Sequence, residues 1–379
     1  MKVVVASDSF KGSLTAQEAS DAIKAGLSRV WKDAEIVTSP VADGGEGTMN
    51  ALLDATNGRQ VLVEVSDPLG KPIHAGYGIL GDGQTAVVEM AQASGLHLVP
   101  IELRDPKQTS SFGTGQLILH ALDNGIRRFI IGLGGSATND AGIGMLAALG
   151  MKFFDASGMA ISANGIGLTR LAKIDVSGFD RRINACEVLV ASDVDILLCG
   201  TNGASVVFGP QKGATPADVE LLDSALRNFG ELTEQLTGKS ISYQKGSGAA
   251  GGMGAALLGY FSANLKSGIE IVIETVKLVE HLPDADFVFT GEGCLDGQTI
   301  YGKTALGIAK SAKQFNIPVI ALAGCTGEGF EAVYEFGIDA VFSSVPRSMD
   351  LAQAIEEAEV NLSQLAENVA RLLMISGIH

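Results

Sequence analysis

Positive charge is scarce in this chain of 379 residues. Lys and Arg number 27 against 43 Asp and Glu, a formal net charge of -16, so the basic footprint that nucleic acid or an anionic membrane requires is missing. Cysteine is scarce too: the four residues at 186, 199, 294 and 325 have neither CxxC spacing nor the density of a disulfide scaffold, and reduced thiols are expected. No uninterrupted apolar run approaches the ~18 residues that read as a membrane span. The apolar stretch in MKVVVASDSFKG is too short for a secretion signal and reads as a buried strand, so a cytoplasmic protein is expected. Five histidines lack HxH or HExxH spacing, which disfavours zinc. Neither a G-x-S-x-G elbow nor a Walker G-x-x-x-x-G-K-[ST] loop occurs, which disfavours a P-loop ATPase.

Glycine, by contrast, is abundant. There are 48 in 379 residues, above the usual ~7%. They concentrate in three acid-bearing loops that each follow an apolar run: VADGGEGT at 41–48, GLGGSATND at 132–140 and TGEGCLDGQT at 290–299. Glycines at a strand's carboxyl end let backbone approach a ligand closely, and a following helix points free N–H groups at it. Such loops usually hold phosphate. Carboxylates among them would repel a bare phosphate, so they make better sense beside a divalent cation or a hydroxyl to be deprotonated. Phosphoryl transfer is the chemistry this combination suggests.

With 46% hydrophobic residues a core is well supplied, and a length above ~250–300 suggests two domains. Strand and helix signals alternate at both ends of the chain. Lys2 to Ala6, Ile36 to Val41, Asp286 to Thr290, Pro318 to Ala323 and Ala340 to Val345 read as strands, and Thr15-Ala-Gln-Glu18 is a capping box opening a helix to about Val30. From Leu351 to Leu373 one helix is expected, with Ile355, Ala358, Leu362, Leu365, Val369 and Leu372 in its core stripe. The middle differs, with a hairpin signal at Gly81-Asp82-Gly83 between Ile73–Leu80 and Thr85–Met90, and helices over Gly113–Leu122 and Asp140–Leu149. The expected fold is α/β: a parallel-sheet, Rossmann- or flavodoxin-like domain from residues 1–60 and 281–379, with a large mixed α/β domain inserted at 61–280 and an active-site cleft between them.

Candidate residues follow from the loops. Asp8, Ser9 and Lys11 lie at the end of the first strand, where open parallel sheets present ligands, and Lys11 suits a phosphate or a carboxylate. Asp43 and Glu46 either face a small substrate, as Asp8 and Ser9 do, or compensate the dipole of a following helix. Gly134, Gly135, Ser136, Thr138 and Asn139 offer backbone and hydroxyl donors ahead of a helix, a phosphate cradle that needs no lysine. Asp193, where VLVASDVD turns abruptly from apolar to acidic, is the candidate base for a substrate hydroxyl. Lys212 and Lys245 sit in glycine loops as candidate anion contacts. Glu292 and Asp296 suit Mg²⁺, held directly or through waters with phosphates completing the shell.

Eight segments in order, DSFKGSL at 8–14, PVADGGEGT at 40–48, VEMAQASGL at 88–96, GTGQLI at 113–118, GGSATNDAGIGML at 134–146, FGPQKGA at 208–214, GAAGGMGAAL at 248–257 and TGEGCLDGQT at 290–299, resemble the bacterial glycerate kinases of type I. The resemblance covers nearly the whole chain. It implies ATP-dependent phosphorylation of D-glycerate, at the 2-hydroxyl to give 2-phosphoglycerate, by a two-domain α/β enzyme using Mg²⁺. Two positions depart from the family pattern. Ile196-Leu197 stand where an Asn-Pro pair is common, and Cys294 where many members carry arginine, which removes a permanent cation and a bidentate fork. A kinase of another small hydroxy acid or a sugar, a non-catalytic carboxylate or nucleotide binder, and a dehydrogenase are the competing readings.

Overall fold

The computed structural model describes residues 1–42, 47–297, 299–301, 304–375 and 377. Fifteen strands run through them. In chain order they are β1 (Lys2–Ser7), β2 (Glu35–Thr38), β3 (Arg59–Ser66), β4 (Pro72–Ile79), β5 (Thr85–Glu89), β6 (Arg128–Gly132), β7 (Lys152–Phe154), β8 (Lys173–Asp175), β9 (Glu187–Ala191), β10 (Asn264–Lys266), β11 (Phe287–Gly291), β12 (Cys294–Leu295), β13 (Val319–Ala323), β14 (Cys325–Thr326) and β15 (Ala340–Ser343). The chain divides into two compact units: Met1–Asp43, Asn50–Asn57 and Ser267–His379 form one, Gly44–Met49 and Gly58–Lys266 the other.

The first unit is built on a wholly parallel sheet in the order β15-β13-β11-β1-β2. Its central strands are buried and largely apolar, as strands covered on both faces are. On one face Val3, Val5, Phe287, Phe289, Ile320 and Leu322 meet Ala19, Ile23 and Leu27 of helix Ala16–Val30 and Leu362, Ala366 and Val369 of helix Ala358–Ile375. Trp31 closes this core, stacked on Phe287 with ring centroids 6.0 Å apart. The capping box at Thr15 forms as expected, with Thr15 and Glu18 exchanging side-chain-to-backbone bonds; a cap of this kind contributes about 1 kcal/mol. Gly26 lets the two helices touch, since a Cβ there would stand 2.1 Å from the Ser363 carbonyl.

The expected single helix from Leu351 to Leu373 is two. Asp350 caps Leu351–Glu356, the chain turns at Glu357, and Ala358–Ile375 begins in a new register. Ala358, Leu362 and Val369 are buried, whereas Ile355 and Leu372 of the expected stripe are exposed.

The second unit carries a six-stranded mixed sheet, β10-β9-β6-β5-β4-β3. The Gly81-Asp82-Gly83 signal joins antiparallel β4 and β5, and β3 extends the meander. From β5 onward the pairing is parallel, through β6, β9 and β10. The helix expected over Asp140–Leu149 is shorter, Ile143–Ala148, because Ala141 and Gly142 both adopt left-handed backbone that an α-helix does not accept. A short β7–β8 pair and a two-stranded parallel β12–β14 pair complete the strand set.

Candidate functional site

In an open parallel sheet, ligands bind outside the carboxyl ends of the strands where the direction of crossover reverses. In the first unit that reversal lies between β1 and β11. The chain leaves β1 for β2 on one side, and leaves β11 for β13 on the other. Ser7 and Gly291 are register partners at this edge, so the segments following them emerge side by side. Asp8 donates its amide to the Gly291 carbonyl and accepts on its carboxylate from the Ser9 amide at 2.6 Å and from the Thr304 hydroxyl. Lys11 is exposed, and its amide lies 3.3 Å from where a Cβ on Gly293 would be. Thr299 ties the two acids of the β11 loop together: its hydroxyl donates to Glu292 Oε1 at 3.2 Å and accepts from the Asp296 amide at 3.1 Å. Thr299 thus fixes the Glu292 carboxylate against the backbone of Asp296, and a pair of acids on one loop suits a hard divalent cation that keeps several waters and takes its remaining ligands from phosphates. Among the described residues no group of three or more His, Cys, Asp or Glu is set to hold a metal by itself. Asp43 and Glu46 lie outside the described residues.

The second unit presents a comparable edge. Glu89, Gly132 and Ala191 end β5, β6 and β9 in one row of the register. Beyond Gly132, Gly134 and Gly135 are exposed, and Gly135 uses φ 72°. Beyond Ala191 comes Asp193, also exposed. The remaining loop residues turn inward. Ser136, Thr138 and Asn139 are buried; Asn139 Nδ2 donates to Ser205 Oγ at 2.8 Å, and among the described residues the Asn139 side-chain Oδ1 and the Thr138 hydroxyl have no hydrogen-bond partner. Asp140 fills the start of helix Ile143–Ala148 from within. Its carboxylate accepts from the Ser111 amide and hydroxyl and from the amides of Gly142 and Gly144, so those helix-start N–H groups are occupied by the chain itself.

The two lysines are placed very differently. Lys245 forms an exposed ion pair with Asp195 at 2.5 Å. Lys212 is fully buried, its ammonium donating to Ser136 Oγ and to the Thr138 carbonyl, each at 2.7 Å. It therefore holds the 136–138 backbone from behind. Burial pushes its amine down to about 7, with the Asp140 charge pulling the other way, while burial pushes the Asp140 carboxyl up. Because the folded value lies below the ordinary 10.5, the unfolded chain binds more protons between the two, and stability rises with pH across that window. Below about pH 7 the burial cost is felt in full. Lys212→Met should lose this slope while leaving the Thr138 carbonyl unpaired, which costs about 1–3 kcal/mol. Urea unfolding of both proteins from neutral to alkaline pH checks it, and parallel slopes would count against a titrating Lys212.

The two departures from the family pattern are also placed. The Ile196 carbonyl accepts from Gly248 at 3.0 Å and the Leu197 carbonyl from Ala204 at 3.1 Å, so this segment is held by its backbone and does not depend on an asparagine amide. Cys294 opens β12 opposite Cys325 of β14. Sequence reasoning passed over Glu89, Thr299 and Thr304. Glu89, a buried acid closing an apolar strand that accepts from the Met49 amide at 2.9 Å, had a readable signal; the two threonines are recognisable only once their carboxylate partners are in place.

The profile of the glycerate kinase family matches residues 3–374. The glycerate kinase of Haemophilus influenzae is 52% identical over 373 residues, covering 98% of this chain and 99% of that protein. The glycerate 2-kinase of Escherichia coli is 48% identical, covering 99% and 98%. A crystal structure from Salmonella typhimurium LT2, described as a candidate glycerate kinase 2, superposes with a TM-score of 0.92 at 49% identity, covering 100% of this chain and 99% of that one.

Proposed function

We propose, starting from the fact that the chain belongs to the glycerate kinase family, that it transfers the γ-phosphoryl group of ATP to the 2-hydroxyl of D-glycerate, giving 2-phosphoglycerate and ADP. The observation that carries the mechanism is the row formed by the carboxyl ends of β5, β6 and β9, beyond which Gly134, Gly135 and Asp193 come out together. The Asp193 carboxylate accepts the hydroxyl proton as the oxygen attacks the γ-phosphorus and the bond to the bridging oxygen of ADP breaks. Gly134 and Gly135, both exposed and without side chains of their own, offer backbone N–H groups to phosphate oxygens. Ser136, Thr138 and Asn139 shape that loop from beneath, and Lys212 holds it; Lys245 is an outer contact whose charge Asp195 already shares.

In the first unit Lys11 steadies the transferring phosphate or the glycerate carboxylate. Asp8 and Ser9 take part in substrate binding, with Asp43 and Glu46 assigned the same role. Glu292 and Asp296 would hold Mg²⁺, whose charge offsets that of the phosphates when bound. Glu292→Gln should raise the Mg²⁺ concentration needed for half-maximal turnover while D-glycerate affinity changes little. Magnesium titrations of both proteins read this directly, and superimposable curves would remove Glu292 from the cation site.

Regiochemistry is tested with D-glycerate, ATP and Mg²⁺, following ADP and assigning the phosphoglycerate by ³¹P NMR against both isomers. The 2-isomer is expected. The 3-isomer would shift the acceptor hydroxyl, and ATP binding by folded protein without ADP formation would overturn the reading.

A further inference from the structure

Two of the four cysteines are neighbours across a strand pair. Cys294 and Cys325 are direct register partners in the parallel pair β12–β14. Backbones paired in this way lie ~4.8 Å apart, inside the 4.4–6.8 Å Cα separation that a disulfide spans without backbone movement, and paired residues project to the same face. The register therefore sets the two side chains next to each other on that face. Accessibility is graded, with Cys325 exposed and Cys294 half-buried.

The surroundings give the pair a target. The segments on either side are laced together by backbone: Gly324 donates to the Glu292 carbonyl and Cys325 to Gly293, both at 3.1 Å, Gly327 to Leu295 at 2.7 Å, and Gly297 to Glu328 at 2.9 Å. Gly327 also permits close stacking, a Cβ there standing 2.9 Å from Asp296 Cβ and 3.7 Å from Cys294 Sγ. Glu292 and Asp296 therefore bracket Cys294 on one loop while Cys325 anchors the other.

We infer that Cys294 and Cys325 are a reversible thiol–disulfide pair, closed by peroxides or oxidised small dithiols, whose crosslink restrains the Glu292–Asp296 loop and lowers turnover. In the peroxide route the Cys325 thiolate attacks an oxygen, the O–O bond breaks and hydroxide leaves, giving a sulfenic acid. The Cys294 thiolate then attacks that sulfur, the S–O bond breaks and the oxygen leaves as water. Two thiols are oxidised to one disulfide and one peroxide is reduced to two waters. Exposure makes Cys325 the first to react. Cys294, half-buried beside it, is less accessible and waits as the resolving partner. A crosslink that reduction reopens is the form a disulfide takes in a reducing compartment. The effect on turnover rests on the proposed role of Glu292 and Asp296; the crosslink itself does not.

The test treats the intact protein with hydrogen peroxide, then maps disulfides by mass spectrometry and measures kinase turnover before and after dithiothreitol. A peptide joining residues 294 and 325 is expected, with Cys186 and Cys199 unmodified, together with a severalfold fall in kcat that dithiothreitol restores. Cys325→Ser should keep its basal activity and be indifferent to the oxidant. Oxidation of Cys325 with Cys294 still free would overturn the pair. A crosslink with unchanged kcat would overturn its coupling to the acid loop, and equal inactivation of Cys325→Ser would overturn the assignment of the sensor.

Discussion

Asp193→Asn should lower turnover by ~10²- to 10⁴-fold, the range a positioned general base contributes, while ATP affinity stays close to that of the parent. The substitution keeps size and shape but cannot take up the proton of the attacking hydroxyl. Asp193 is exposed and lies two residues beyond the end of β9, outside the core whose packing determines folding, so the variant should remain folded. Steady-state kcat and the KM for ATP and D-glycerate separate the cases. An unchanged kcat would remove Asp193 from the chemistry, and a loss confined to the KM for glycerate would make it a binding residue.

Gly251→Ala should destabilise the protein by about 2–5 kcal/mol. Two costs combine there: left-handed backbone, worth about 1–2 kcal/mol for a residue with a Cβ, and a collision, worth about 1–3 kcal/mol when a packed region must shift. Gly251 has φ 65°, and a Cβ on it would stand 2.1 Å from the Thr138 carbonyl oxygen and 2.6 Å from Asn139 Cα. Those neighbours are backbone and cannot swing aside. Gly125→Ala separates the two effects, since Gly125 has φ 85° and open space around its missing Cβ. It should show the backbone cost alone. Equal losses in denaturant unfolding of the two variants would mean that the 138–139 loop yields. Thr138 is also where Lys212 anchors the loop, so Gly251→Ala should raise the KM for ATP as well.

Left-handed backbone is concentrated around this same edge. Ala250, Gly251 and Gly252 follow one another at positive φ, and Ala141 and Gly142 do so on the segment they touch, with the Ala141 amide donating to the Gly251 carbonyl. Strained non-glycine backbone persists only where surrounding structure over-determines it, and it gathers at binding edges. Here it is maintained by close backbone packing and by the buried Asp140 and Lys212.

What the sequence alone determined was local and periodic. Apolar runs such as VVVA within Lys2–Ala6 and VIALA identified buried parallel strands because the interior of a strand covered on both faces is apolar on both. Thr15 and Glu18 marked a helix start because their bonds close within four residues, and Gly81-Asp82-Gly83 marked a hairpin because its geometry is set by the turn. Ordered glycine motifs carried the family for the same reason, each being a short backbone requirement written in adjacent letters. Tertiary structure decided what depends on residues far apart in the chain. Lys212 reads as an anion contact in a glycine loop until Ser136 and Thr138, 76 and 74 positions away, supply the acceptors that make its burial tolerable. Ile355 reads as core until the turn at Glu357 shifts the helical register. Cys294 and Cys325 show no motif spacing, because parallel strands bring together residues separated by an entire crossover, and only the register of β12 on β14 makes them neighbours.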